Sequence, residues 1–399
     1  MATAEGSSPL RVLIIGAGSA GLLLAQAFKK VGINAAVFEK DASPTARPRD
    51  WNFGIYWAQS PLEDILPPKL HAQLETVQTD ASYKPNAKSV MPIINGVSGE
   101  LLRALDTPLR PAAEATGIDV RFGKALVSIQ VKEDGLVESI FADGNTEVGN
   151  LVIGAEGAHS VVRDFLFESS PEDAKLLSCP IVVSSCLAKL DPQVALDIRK
   201  INPTYYMTLD PTGLMSWASV HDCASPDPAE WTFCVLLTWN SAEETGLKTD
   251  QEILDDMRAR VQHLAYPFKE SVTTIPSGTR CWHARLTYLP TKPWDSRGGL
   301  VTLAGDAAHS MTFHRGQGLG NAITDVAELL KRLQEMKSLT PAELAKAVQE
   351  YEKEVWPRGH EAVMANLENT IALHNWDMMM QSAAIVSGVK REGDKLPSS

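Results

Sequence analysis

Cysteine is scarce in this chain and forms no pattern. Cys179, Cys186, Cys223, Cys234 and Cys281 are scattered, odd in number and free of any C-x-x-C pair. That excludes a disulfide framework and a zinc knuckle, and it points to a reducing, cytoplasmic setting. The nine histidines show no H-E-x-x-H or comparable ligand spacing, so no metal is expected. Basic residues are outnumbered. Lys and Arg total 37 against 49 Asp and Glu, a net charge of -12. A long-range attraction to nucleic acid or an anionic membrane is excluded on that balance. Long apolar runs are missing too. The uncharged segment Val12 to Phe28 is short for a membrane span and is interrupted by Gly16, Gly18 and Gly21, so no span is expected. Internal repeats and low-complexity tracts are absent.

What remains is an ordinary composition, 44% hydrophobic and 22% charged, long enough for two domains. Its first strong signal lies between Arg11 and Asp41. Val12 to Ile15 reads as a buried parallel strand. Gly16, Gly18 and Gly21 spell G-x-G-x-x-G, Leu22 to Val31 reads as a helix ended by Gly32, and Asn34 to Phe38 reads as the next strand. Glu39 closes that strand, 23 positions after Gly16. The parts have separate tasks. Gly16 permits the tight turn, Gly18 lets backbone approach a pyrophosphate, and Gly21 lets helix and strand pack. The helix start favours phosphate, and Glu39 suits a ribose without a 2′-phosphate, hence NAD or FAD.

Two later stretches decide between those cofactors. "NLVIGAEGAHSVVRDFL" (150–166) is again an apolar strand followed by Gly154, Glu156, Gly157, Ser160 and Arg163. "GDAAHSMTFHRGQGLGNAITD" (305–325) follows the apolar run Leu300 to Ala304, carries Gly316, Gly318 and Gly320, and reads as helix from Ala322. An NAD dehydrogenase does not need three such elements, whereas a long dinucleotide held across a discontinuous domain does.

With these motifs the sequence resembles the FAD-dependent single-component flavoprotein monooxygenases of the para-hydroxybenzoate hydroxylase type, closest to fungal members that tailor secondary metabolites. The resemblance runs from about Arg11 to about Leu333. It implies an α/β fold: a discontinuous Rossmann-like FAD-binding domain, an inserted β-sheet substrate domain and C-terminal helices. The boundaries expected are 1–80, 98–178 and 282–340 for the FAD-binding domain, 81–97 and 179–281 for the substrate domain, and 341–399 for a helical segment broken near Pro357.

The resemblance also assigns residues. Gly16, Gly18, Ser19, Ala20, Gly21, Glu39, Lys40, Gly54, Gly305, Asp306, Gly318, Leu319 and Gly320 would bind FAD. Asp306 would take the ribityl chain, and the backbone of Gly318 to Gly320 would face the pyrimidine side of the isoalloxazine. Arg110, with Arg103 second, is the candidate for an arginine that the family places on a preceding helix. Three departures stand out. Glu156 replaces the usual Asp, Phe313 a proline, and Gly320 often an Asn. His314 and Arg315 replace small residues beside the flavin and are the catalytic candidates; His309 is expected to be structural. The loop "RDWNFGIYWAQS" (49–60) offers Arg49, Trp51, Asn52, Gly54 and Trp57 to ring or substrate.

The implied chemistry uses FAD, NAD(P)H as a transient co-substrate and O2. It hydroxylates or epoxidises a hydrophobic small molecule through a flavin C4a-hydroperoxide. The alternative is a flavin protein without oxygenation: a reductase, a dehydrogenase or a non-redox cyclase. Tyr205, Tyr206, Met207, Trp217, Trp231, Phe233 and Trp239 supply aromatic and thioether faces, most as core and one or two for a substrate pocket.

Overall fold

The computed structural model describes residues 10–46, 54–55, 57–74, 79–80, 83, 90–106, 118–242, 246–382 and 385. Strand β1 (Arg11–Ile15) leads through α1 (Ser19–Lys30) to β2 (Asn34–Phe38). The short helices α2 (Gln59–Ile65) and α3 (Pro68–Gln73) follow, then β3 (Val90–Asn95) and β4 (Leu101–Asp106). Next come β5 (Val120–Arg121), the meander β6 (Leu126–Val131), β7 (Val137–Phe141) and β8 (Thr146–Gly149), then β9 (Leu151–Gly154) and α4 (Val161–Leu166). The stretch β10 (Leu177–Lys189), α5 (Pro192–Ile201), β11 (Tyr205–Leu209), β12 (Met215–Asp222), β13 (Thr232–Asn240), α6 (Asp250–Arg260), α7 (Glu270–Thr273) and β14 (Cys281–Tyr288) comes next. Finally β15 (Val301–Leu303) runs into α8 (Asp306–His309), α9 (Gly318–Gln334), α10 (Pro341–Leu373) and α11 (Trp376–Gln381).

The chain divides into two compact units. The first comprises Met1–Leu74, Ala112–Leu177 and Thr287–Leu367. Its sheet has the order β15-β9-β1-β2-β5, all parallel. Strands covered on both faces must be apolar throughout, and Val12, Leu13, Ile14, Leu151, Val152, Ile153, Val301 and Leu303 have essentially no exposed surface. Helix α1 buries Leu24, Ala27 and Phe28, and α9 buries Ile323, Val326, Leu329 and Leu333 in the same core. Both sets recur at helical spacing, which gives each helix one apolar face.

The second unit comprises Glu75–Pro111, Ser178–Leu286 and Glu368–Ser399. Its seven strands run in the order β14-β10-β13-β12-β11-β3-β4. Alternation sorts the side chains. Tyr206, Phe233, Val235, Leu237 and Trp239 join one core cluster with Val194 and Ile198 of α5 and Leu254 and Met257 of α6. Tyr205, Met207 and Trp217 point to the opposite face by strand period. There Tyr205 stacks on Trp217 with ring centroids 4.6 Å apart.

The structure departs from the sequence reading in several places. Residues 98–106 fall in the second unit, because β4 pairs antiparallel with β3. Residues 341–367 fall in the first, because Leu344, Val348, Tyr351 and Val355 of α10 belong to its core. Pro357 does not break α10. Proline removes one helical N–H, but buried Val355 and Val363 and the Arg358–Glu354 ion pair hold the turns on either side.

Candidate functional site

The glycines of the first motif separate by what a side chain would meet. Gly16 has φ +103°, and a Cβ there would lie 2.6 Å from the Ala155 carbonyl. Gly21 would press a Cβ to 2.0 Å from the Gly16 carbonyl oxygen. Both are needed by the protein's own packing. Gly18 is different: the nearest atom to its Cβ position is 3.9 Å away. Its bareness serves open space, a cavity of about 740 Å³ bordered by Gly16, Gly18, Glu39, Lys40, Lys124 and Glu156. Helix α1 starts at this cavity with extended Gly18 as N-cap, no side-chain cap and no acid in its first turn. Its first amides and partial positive charge are left for an anion.

Glu39 stands at the other wall. Its Oε2 accepts the Ala17 N–H at 2.8 Å and its Oε1 the Asp41 N–H at 2.9 Å. A carboxylate has about four acceptor positions, so each oxygen keeps capacity for a hydroxyl. Ser19 and Lys40 are accessible, and Ala20 is buried.

The second motif is turned inward. Glu156 Oε1 accepts the Val162 N–H at 2.9 Å, capping α4 together with Ser160. Its Oε2 is buried with no hydrogen-bond partner among the described residues. It lies 3.0 Å from where a Gly154 Cβ would be. Burial pushes the Glu156 carboxyl up from its ordinary range. The added methylene folds back over the glycine. Arg163 donates to the carbonyls of Ala158, Ala174 and Ala307 at 2.6, 2.9 and 3.1 Å. It thereby ties the second motif to α8 of the third.

The third motif is fixed from behind. Gly305, at φ +63°, donates its N–H to Asp325 Oδ2 at 2.7 Å. His309 Nε2 reaches the same oxygen at 2.7 Å. Arg358 donates to Asp325 Oδ1 at 2.7 Å and to Asn321 Oδ1 at 3.0 Å. Burial opposes charge on both His309 and Asp325, but their mutual attraction outweighs it. The His309 pKa moves up and the Asp325 pKa moves down. His309 is thus a structural residue with no exposed surface.

This anchoring presents Asp306 to solvent at the start of α8, close to the start of α9. Asp306 Oδ1 lies 3.9 Å from the Gly318 Cβ position, and a Gly305 Cβ would lie 2.9 Å from Ala20 of α1. The first and third motifs therefore meet. Helix α9 starts at Gly318, four residues earlier than the sequence suggests, with no side-chain cap and no acid in its first turn. Leu319 is buried, and Gly320 lies under the indole of Trp57. His314 is half-buried and stacks on Phe313 with centroids 4.5 Å apart, while Arg315 is exposed. Gly54 is half-buried beside fully buried Ile55. Arg110, Arg49, Trp51 and Asn52 lie outside the described residues; Arg103 sits on β4. Among the described residues no cluster of three His, Cys, Asp or Glu side chains is placed to hold a metal.

Sequence reasoning missed Arg358 and the Trp57–Gly320 pair. Arg358 lies beyond the third motif, with no local signal. The Asp that ends that motif, Asp325, was the available hint.

Comparison with known proteins agrees with this geometry. The FAD binding domain family matches residues 9–51 and 102–366. The FAD-dependent monooxygenase cctM of Talaromyces islandicus is 41% identical over 394 residues, 97% of this chain and 98% of the relative. The FAD-dependent monooxygenase phnB of Penicillium herquei is 33% identical, over 96% of this chain and 95% of its own. An HpxO variant from Klebsiella pneumoniae, solved with FAD, shares the fold with a TM-score of 0.72 at 19% identity, over 94% of this chain and 93% of that one. A bare Gly18 at an open cavity, a ribose-ready Glu39 and an exposed Asp306 fit the cofactor these relatives are named for, and the chain belongs to the FAD binding domain family, among its FAD-dependent monooxygenases.

Proposed function

We propose that this monooxygenase uses NAD(P)H and O2 to hydroxylate or epoxidise a hydrophobic aromatic or alkene-containing small molecule in fungal secondary metabolism. The observation that carries the reading is that Gly18 and Glu39 border an open cavity in the same unit where the third motif, through Gly305 and Ala20, meets the first. When bound, FAD accepts a hydride from NAD(P)H and activates O2, so that one oxygen atom enters the substrate and the other leaves as water.

The protein's part is to bind, orient and neutralise. Gly16 to Gly21 and the α1 amides take the pyrophosphate, with Ser19, Ala20 and Lys40 at its border. Glu39 accepts from the adenosine ribose. Asp306 accepts from the ribityl hydroxyls. The start of α9, at Gly318, Leu319 and Gly320, sets a positive helix end against the pyrimidine side of the ring, where it stabilises added negative charge. Gly54 lines the ring's loop, and Arg110 is assigned to the cofactor by resemblance. His314 is the proton partner of the reacting substrate, through its imidazole, and Arg315 pairs with an anionic substrate group. Tyr205, Met207 and Trp217 lie on the face of the second unit's sheet away from its helix-packed core. The described cysteines are free, and no helix among the described residues is long and apolar enough to cross a membrane. Both fit a cytoplasmic enzyme.

The test is a visible spectrum of the purified protein before and after NADPH addition without oxygen. Bands near ~370 and ~450 nm that bleach with NADPH support the cycle. Transfer of an atom from isotopically labelled O2 to a product completes it. A yellow protein that consumes NADPH yet labels no product is a reductase. A colourless chain that takes up no added FAD sinks the cofactor assignment.

A further inference from the structure

Trp57 is half exposed, at 48% of its full surface, and its indole N–H has no hydrogen-bond partner among the described residues. An exposed aromatic is ordinary by itself. Its seating is not. Ile55, two residues before it, and Ala58, the next residue, are buried in the first unit's core, at 1% and 0% exposure. Helix α2, which begins two residues later, adds Leu62 and Ile65 to that core. The backbone at Trp57 is therefore pinned on both sides, and the indole is held outward.

It is held over one spot. A Cβ on Gly320 would lie 2.8 Å from Trp57 Cζ2 and 3.1 Å from its Cε2 and Cη2. Real Cβ atoms do not approach a ring carbon that closely. No side chain fits at position 320 while the indole stays, so the two residues form one lock. The lock sits in the first turn of α9, two residues from Gly318 and the nearby Asp306 carboxylate.

We propose that Trp57 forms a wall of the isoalloxazine site, its indole filling the volume beside the α9 start that a side chain at position 320 would take elsewhere. This rests on the FAD reading above. A flat, electron-poor tricyclic ring at the α9 N-terminus meets a flat, electron-rich indole with its outer surface uncovered. Offset or edge contact between such rings is favourable. Trp57 is a binding and positioning residue for the ring. It also lies close enough, on this reading, to quench the flavin's emission by contact electron transfer.

Three variants test it, with FAD titrations of the full chain followed by flavin emission. In Trp57→Phe the bound flavin should brighten several-fold, and the FAD Kd should rise by roughly 3- to 10-fold, the span of one aromatic contact. Gly320→Ala should raise the Kd by about tenfold or more, because the methyl displaces the indole. Trp57→Ala/Gly320→Ala should bind no worse than Trp57→Ala alone, since the clash has gone. Thermal melts of each apoprotein separate misfolding from a lost contact. If Trp57→Phe binds FAD with unchanged Kd and unchanged emission, Trp57 does not touch the ring. Additive losses in the double variant reject the lock. A wild-type chain that binds no FAD instead overturns the cofactor reading beneath, and this proposal with it.

Discussion

Arg358 donates to Asp325 Oδ1 at 2.7 Å, from a helix that begins after the last glycine motif has ended. The other oxygen of that carboxylate holds the Gly305 N–H and His309. The turn that presents Asp306 is thus braced by a side chain 33 residues beyond Asp325. A buried charge needs every partner it has, because water does not replace one that is removed.

Replacing Arg358 by Ala should therefore destabilise the apoprotein by about 3–5 kcal/mol. Arg358→Lys should recover only part of this, since an ammonium lacks the planar fork that serves Asp325 and Asn321 together. Urea unfolding of both variants checks it. A loss below about 1 kcal/mol for Arg358→Ala would mean that His309 alone suffices for Asp325.

Stability should fall as pH rises through neutrality, by way of Glu352. Its carboxyl is buried under β15, where it accepts from Trp294 Nε1 at 2.8 Å and Thr302 Oγ1 at 2.9 Å. Burial raises its pKa from 4.5 to about 7. A raised folded-state pKa means the folded state binds the proton more tightly. The favourable contribution is complete below the unfolded value and is lost as pH climbs through about 7. The full swing is on the order of 3 kcal/mol. Melting temperatures from pH 5 to 8.5 should slope downward in the wild type and less in Glu352→Gln. Parallel curves would assign the slope to another group.

Gly18 and Gly21 should fail in different ways. Gly21→Ala forces a methyl into the Gly16 carbonyl, and should cost roughly 1–3 kcal/mol of apoprotein stability, or more. Gly18→Ala puts its methyl into the open cavity, so the apoprotein should melt unchanged while FAD affinity drops at least tenfold. Melting curves and FAD titrations of both separate the effects. Equal melting losses would mean that Gly18 is not reserved for the cofactor.

His314→Gln should uncouple the reaction. NADPH oxidation should continue while product per NADPH falls, by up to about a hundredfold if the imidazole moves a proton in the oxygen-transfer step. Chromatography of product against NADPH consumed reads this ratio. A variant as well coupled as wild type removes His314 from the mechanism.

The first motif was legible because its signals are local. Strand Asn34–Phe38 appears in the structure with the same ends, and β1 differs by one residue. Helix ends drifted where glycines permit helix: α1 starts at Ser19 and α9 at Gly318, ahead of Leu22 and Ala322. The fates of the middle aromatics were not legible. Tyr205 and Tyr206 are neighbours in sequence, and only strand pairing decides that Tyr206 enters the core while Tyr205 stacks on Trp217. Gly320 looked like a plain departure from family pattern. Its reason, Trp57, lies more than two hundred residues away and carries no periodicity or spacing that would announce it.

The parallel sheet of the first unit closes late. Strand β15 takes its place beside β9, although five of the second unit's seven strands, β10 to β14, are made between them. At roughly 5–20 residues per second, the ribosome needs on the order of 10 s to go from one to the other. Until then β9 is an edge, and α9 and Arg358 do not yet exist. A nascent chain can have its Gly16–Gly21 turn complete and still lack the segment that carries Asp306 and Gly318. The meeting of the first and third motifs therefore waits on residues 301–325, and its bracing by Arg358 waits longer still.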